Sequence, residues 1–321
     1  MEIYLIGLAV ALVGGLLMSR LTRLLHLPAV TAYLVAGLLL GPFFLGRLNV
    51  PGLGFNTLEE VNVLSIVSQT ALGFIAFAMG NEFRLSQLRT IGSRAIIIGI
   101  LQAVITTIVV DVILLLLHLF FPHIISVPCA ITLGAIAAAT APAATLMVVR
   151  QYKADGPMTR LLMLVVALDD AVGLLLFSVS FGIATALSNG QVSVLAVVVE
   201  PIVEILLSVG LGGFMGLLLH WVERFFHSRS KRMSLSVAFV MLTVGLSMLE
   251  FQIGPVHCGF SLLLVCMMTG TIFCNVCPTS EELMERVDGW TMPLNILFFV
   301  ISGAELDLNV LSQPVTLIVG I

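Results

Sequence analysis

The chain is dominated by apolar runs too long and too unbroken for a water-soluble core. Stretches at about 3–19, 29–46, 61–80, 95–121, 127–149, 158–187, 193–226, 233–250, 256–275 and 290–304 carry almost no charge, and an eleventh begins near 314 and meets Ile321. About 20 apolar residues make one helical crossing of a bilayer. Runs without strict apolar–polar alternation read as helices rather than as strands of a barrel. Composition agrees: 59% of the 321 residues are hydrophobic, 10% are charged and the mean hydropathy is +1.15, where a soluble domain is roughly a quarter charged. A soluble enzyme, a nucleic-acid binder and a disordered chain are excluded. The fold class is an all-α polytopic membrane protein, one membrane domain over 1–321 with about ten complete transmembrane helices and the start of another.

Basic residues set the expected orientation. Arg20 and Arg23 follow the first span, Arg84, Arg89 and Arg94 the third, and Arg150, Lys153 and Arg160 the fifth. Arg224, Arg229, Lys231 and Arg232 follow the seventh and Arg286 the ninth, so thirteen of the fourteen basic residues fall on one side, with Arg47 alone on the other. The positive-inside rule makes that side cytoplasmic and puts the N-terminus outside, in a multi-pass protein of the cell (inner) membrane. Met1 and Glu2 bring no positive n-region, so no cleavable leader is expected. Of five cysteines, Cys129, Cys258, Cys266 and Cys274 lie in or beside apolar runs and read as small hydrophobes. Cys274 and Cys277 form a C-x-x-C with no second ligand pair, a weak sign of metal or redox work. No nucleophile–base pair stands out, and no enzyme is expected.

The third span closes in Met79-Gly80-Asn81-Glu82-Phe83-Arg84-Leu85, with Leu88 following; the tenth closes in Ser302-Gly303-Ala304-Glu305-Leu306-Asp307-Leu308, with Leu311 following. Both are G-x-E-x-x-L-x-x-L, seven spans apart, so the copies cross in opposite directions, the signature of inverted transporter repeats. The offset of about 223 residues places the partner of the fifth span near 350–373, so the second repeat is expected to be truncated here.

Two elements carry chemistry. The fifth span holds Ala139-Thr140-Ala141-Pro142-Ala143-Ala144-Thr145, where a proline among small residues and threonines interrupts the helix. Broken backbone at membrane depth survives only when it lines a cavity or is covered by protein. The sixth holds Leu168-Asp169-Asp170-Ala171. Each mid-membrane carboxylate costs about 2.5–3.5 kcal/mol even on the lenient insertion scale, and no Lys or Arg lies at mid-depth in any span to neutralise the pair. Thr140 is ten residues inward from Arg150, and Asp170 is ten inward from Arg160. At 1.5 Å per residue each lies about 15 Å deep, near the centre of a core about 30 Å thick. Break and acids are expected to meet at the midplane as a cation and proton site.

Other polar residues read more plainly. Asp111 is expected at a hydrated outer interface, and Glu200 and Glu204 at a solvated start of the seventh span. Glu82 and Glu305 are read as structural span ends, His257 as a candidate proton sensor, and Gly210, Gly212, Gly213 and Gly216 as a surface for close helix packing or dimerisation.

With Pro28-Ala29-Val30, Tyr33-Leu34, Gly37 and Gly41-Pro42 of the second span, these motifs resemble the cation/proton antiporter superfamily, in particular its two-aspartate branch of bacterial sodium/proton antiporters. The resemblance implies an inverted-repeat fold with interrupted helices and a homodimer. It implies core-type helices at about 61–187 and 290–321 and dimerisation-type helices at about 1–46 and 193–275. It also implies Asp170 as the main cation (Na⁺) and proton carboxylate with Asp169 its partner, Thr140 beside them, and Ala141, Pro142 and Thr145 in the first of two crossed, interrupted helices. Many relatives carry Asp or Ser at the place of Ala141. The acidic pair implies electrogenic exchange. The expected function is antiport of Na⁺ (or Li⁺ or K⁺) for H⁺ in pH homeostasis, with no cofactor beyond the transported ions and the lipid bilayer and a second copy as partners. Two alternatives stand beside it: a truncated, non-transporting membrane scaffold, and an organic-anion symporter, which would want a mid-depth basic residue that this chain lacks.

Overall fold

The computed structural model describes residues 2–24, 27–48, 50, 54–122, 125–189, 200–249, 251–253 and 256–308. They form twelve α-helices: α1 (Glu2–Leu24), α2 (Ala29–Leu40), α3 (Leu58–Val63), α4 (Ser65–Met79), α5 (Leu85–Phe120), α6 (Val127–Ala137), α7 (Pro142–Gln151), α8 (Pro157–Asn189), α9 (Glu200–Glu223), α10 (Arg229–Ser247), α11 (Leu262–Val276) and α12 (Ser280–Ala304). Five described stretches, Tyr4–Thr22, Ala29–Leu48, Ser93–Phe120, Ile202–Glu223 and Ser280–Ala304, are long and apolar enough to cross a membrane.

The sequence spans map onto these helices with informative differences. The third span is two helices, because Leu64 closes a turn onto Val61 and α4 restarts at Ser65. The ninth, expected to open at 256, first makes an antiparallel hairpin of β1 (Phe251–Ile253) and β2 (Val256–Cys258); the helix starts only at Leu262, behind the Ser261 cap. Helix α12 begins ten residues before the tenth apolar run, since Glu281 and Glu282 suit a first turn electrostatically although they break the hydropathy. The eleventh run lies outside the described residues.

The helices fall into two compact units. The first comprises residues 1–75, 146–154 and 285–321. In it α2 buries Val30, Ala32, Tyr33, Ala36, Gly37 and Leu40. A Cβ on Gly37 would run into the Val300 carbonyl oxygen of α12, and one on Gly303 into the Leu34 carbonyl oxygen. Arg150, in the last turn of α7, pairs with Asp288 at 2.6 Å. The second unit comprises residues 76–145 and 155–284. There α5, α6 and α8 pack on one another, α11 packs on α9, and the 3₁₀ turn Gly80–Phe83 that closes α4 packs on α11.

Candidate functional site

The fifth span is a broken helix. Ser126 caps the start of α6 by accepting from Cys129 N–H, and the helix ends at Ala137, where Ala138 and Ala139 tighten onto Ala135 and Ile136. Residues 139–141 are non-helical, and α7 restarts at Pro142. The reason is local. Proline has no N–H to give to the carbonyl four residues back and its ring collides with that carbonyl, whereas the first position of a new helix needs no donor. Ala141 supplies the missing acceptor at the restart, taking the Thr145 N–H and the Thr145 hydroxyl, both at 3.0 Å.

Asp169 of α8 faces this break from inside the second unit. It is 1% exposed, and the Thr140 hydroxyl lies beside its carboxylate. That hydroxyl is itself buried and meets no partner in hydrogen-bond geometry. From α5, Ala95 and Gly99 keep the helix close to α8: Ala95 is packed with Leu164 and Val165, and a methyl at Gly99 would stand 3.8 Å from Asp169 Oδ1. One turn further on, Gln102 completes the seat. With its amide nitrogen toward the acid it donates to Oδ2 at 2.9 Å and to Oδ1 at 3.0 Å. Rotated by half a turn, the same amide offers its carbonyl oxygen, the acceptor a protonated carboxyl needs. Among the described residues no basic side chain pairs with Asp169, so its hydrogen-bond partner is neutral and indifferent to the proton count.

Asp170 lies on the same helix, but its side chain is outside the described residues. Pro142 is half-buried at the start of α7, Ala141 is exposed, and Thr145 is half-buried and committed to Ala141. The structure thus brings Thr140 and Asp169 together and occupies Thr145 in holding the break. Asp111 is half-buried, with Oδ1 packed against Gly134 of α6 and without a hydrogen-bond partner. Glu204 is half-buried near the start of α9 and Glu305 exposed just past α12; the side chains of Glu82, Glu200 and His257 lie outside the described residues. Gln102 was missed by sequence reasoning. It is the one amide in the 95–121 run, and an amide inside an apolar span already asks for a partner.

Residues 8–321 match the family model described as "Sodium/hydrogen exchanger, transmembrane". Solved structures of the sodium proton antiporter MjNhaP1 from Methanocaldococcus jannaschii share the fold. The pH 8 structure superposes with a TM-score of 0.63 at 20% identity, covering 95% of this chain and 71% of that one. A second structure gives 0.70 at 19% identity, covering 94% and 69%. A curated relative, "K(+) efflux antiporter 5" of Arabidopsis thaliana, is 31% identical over 94 residues, 29% of this chain and 14% of the relative's length.

Proposed function

The chain belongs to the transmembrane sodium/hydrogen exchanger family, and from that premise we propose that it exchanges a monovalent cation (Na⁺, Li⁺ or K⁺) for H⁺ by alternating access. The observation that carries this reading is Asp169, a carboxylate sealed against a helix break with a neutral amide as its hydrogen-bond partner. A structural acid at that depth would be neutralised by a fixed cation. Here the compensating charge is exchangeable, either a proton or a metal cation held with hard oxygen donors of the broken backbone and Thr140. Burial disfavours the bare anion, so the site empties of one ion only as it takes the other, which couples the two flows.

In this reading Asp170 and Asp169 both carry cation and proton, as in the two-aspartate, electrogenic branch. The core-type helices of 61–187 and 290–321 rock against those of 1–46 and 193–275 in a homodimer. The N-terminus is outside an inner membrane, and the basic loops face the cytoplasm. Gln102 serves both protonation states of Asp169, donating to the anion and accepting from the acid.

The test is dye-monitored collapse of a pH gradient in proteoliposomes, adding Na⁺, Li⁺ and K⁺ in turn. Asp169→Asn and Asp170→Asn are each expected to abolish cation-dependent collapse in protein that remains monodisperse. Wild-type rates in both variants reject the assignment.

A further inference from the structure

A second set of ligating side chains lies at the other end of the same unit, beside the basic loop. Helix α9 ends in His220-Trp221-Val222-Glu223, so His220 and Glu223, three residues apart, share one face of its last turn. The connection from α11 to α12 brings Cys277 and Thr279 onto that face. Cys277 Sγ donates to Glu223 Oε2 at 2.8 Å, and Thr279 Oγ1 donates to Oε1 at 3.0 Å. Arg232 Nε stands 3.4 Å from Oε1 and donates to the Phe226 carbonyl at 2.6 Å. His220 meets Arg224 through Nε2 at 2.8 Å, while its Nδ1 is buried with no hydrogen-bond partner. A ring nitrogen of His220, a carboxylate oxygen of Glu223 and Cys277 Sγ all lie within 4.8 Å of one another. They border a cavity of about 340 Å³. Burial and the adjacent carboxylate push the Cys277 thiol up, so it rests as S–H.

We propose that His220, Glu223 and Cys277 bind a divalent transition-metal ion, zinc above the others. One imidazole, one carboxylate and one thiol make the mixed donor set that suits Zn²⁺, and a hard cation such as Mg²⁺ or Ca²⁺ would find two of the three donors foreign. Zn–S and Zn–O bonds of about 2.3 and 2.0 Å set tetrahedral neighbours about 3.5 Å apart, so Sγ and Oε2 need to part by less than about 1 Å. Glu223 divides its work: Oε1 is taken by Thr279 and Arg232, while Oε2 holds only the thiol proton. The metal replaces that proton, which leaves to water, and no oxidant or reductant is involved. The imidazole keeps its one proton, which moves to Nε2 as exposed Arg224 turns outward and Nδ1 becomes the ligand. Water in the cavity takes the fourth position. Cys274, the other half of the C-x-x-C, is not part of the set: its thiol is directed to the carbonyls of Thr271 and Gly80.

The test uses the full chain purified in detergent, in a Cys129→Ser background that removes a thiol exposed outside the cluster. Titration with Co²⁺ is expected to give one ion per chain, a thiolate-to-cobalt charge-transfer band and tetrahedral d–d absorption, all displaced by Zn²⁺. Cys277→Ser should abolish the band, and Cys277→Ser and His220→Asn should each weaken Zn²⁺ binding at least about tenfold. A spectrum without thiolate charge transfer overturns the proposal without recourse to any variant. So does a band that survives Cys277→Ser. Neither readout depends on transport.

Discussion

Two helix crossings in this molecule share one backbone device and finish it differently. In the first unit α2 lies on α12, and Gly37 and Gly303 each let the partner's carbonyl approach where a Cβ would collide. In the second unit α11 lies on the end of α4, and Gly270 and Gly80 do the same against Phe77 and Met267. Counted as spans, the second packs on the tenth and the ninth on the third. Exchanging the repeats turns either contact into the other, as an inverted repeat requires. The difference is the polar latch. Asn275 donates to the Phe83 carbonyl at 3.0 Å and accepts from Leu85 N–H at 2.8 Å, while the Thr271 hydroxyl, bonded to the Met267 carbonyl of its own helix at 2.9 Å, also lies 3.3 Å from the Gly80 carbonyl. At α2 on α12 the close approach is made by the glycines, with Tyr33 and Ala36 buried beside Gly37. The cause is the way each helix stops: α4 closes in a 3₁₀ turn whose next helix begins at once, leaving backbone groups that need outside partners. Helix α12 stays α-helical through Gly303 and ends at Ala304. Glycine gives proximity in both crossings, and polar side chains are added where the backbone is left unpaired.

The largest expected effect breaks the shared part. Alanine at Gly37 or at Gly270 should destabilise by about 3 kcal/mol, the upper end of overpacking, read as loss of the monodisperse peak on heating in detergent. Equal melting of wild type and both variants would deny the close approach. Next comes the part that differs. Asn275→Leu should cost about 2 kcal/mol by stranding Phe83 and Leu85 backbone groups, and hydrogen exchange should rise around 83–86 and not in α2. Exchange that rises equally in both crossings would make the latch a general support. Thr271→Val removes a hydroxyl that the Met267 and Gly80 carbonyls share and should cost at most about 1 kcal/mol. The smallest effect is a control outside both crossings. Arg160 beside Asp155 holds that exposed carboxyl below its usual range, so the pair's contribution is present above the ordinary carboxylate value and disappears as pH falls through the lowered one. The melting temperatures of wild type and Asp155→Asn should differ slightly near neutrality and converge in acid.

Much of this was legible in the sequence because lipid makes simple demands. Apolar runs gave the helices, Pro142 gave the break, and the adjacent acids marked α8, since each of these features violates a rule strong enough to be seen without neighbours. The G-x-E ends announced the repeat, although the reciprocal glycines Gly37 and Gly270 could not be recognised until their partner helices were known. Gln102 was lost for the same reason: a single polar residue has no period, and its meaning depends on whether it faces Asp169 or water. The cluster at Glu223 was less legible still, because its thiol and its imidazole come from segments more than fifty residues apart and the C-x-x-C spacing pointed to the wrong second cysteine.

The Gln102 amide carries a kinetic consequence. In the exchange proposed above, one planar group suits both forms of the acid beside it, so loading or releasing a proton would ask only for a torsional flip. Side-chain reorientation is far quicker than the microsecond-to-millisecond travel of whole helices. Under that proposal turnover would be governed by how fast the scaffold reorients, and a bulkier or one-sided neighbour at position 102 would shift the bottleneck onto the proton itself.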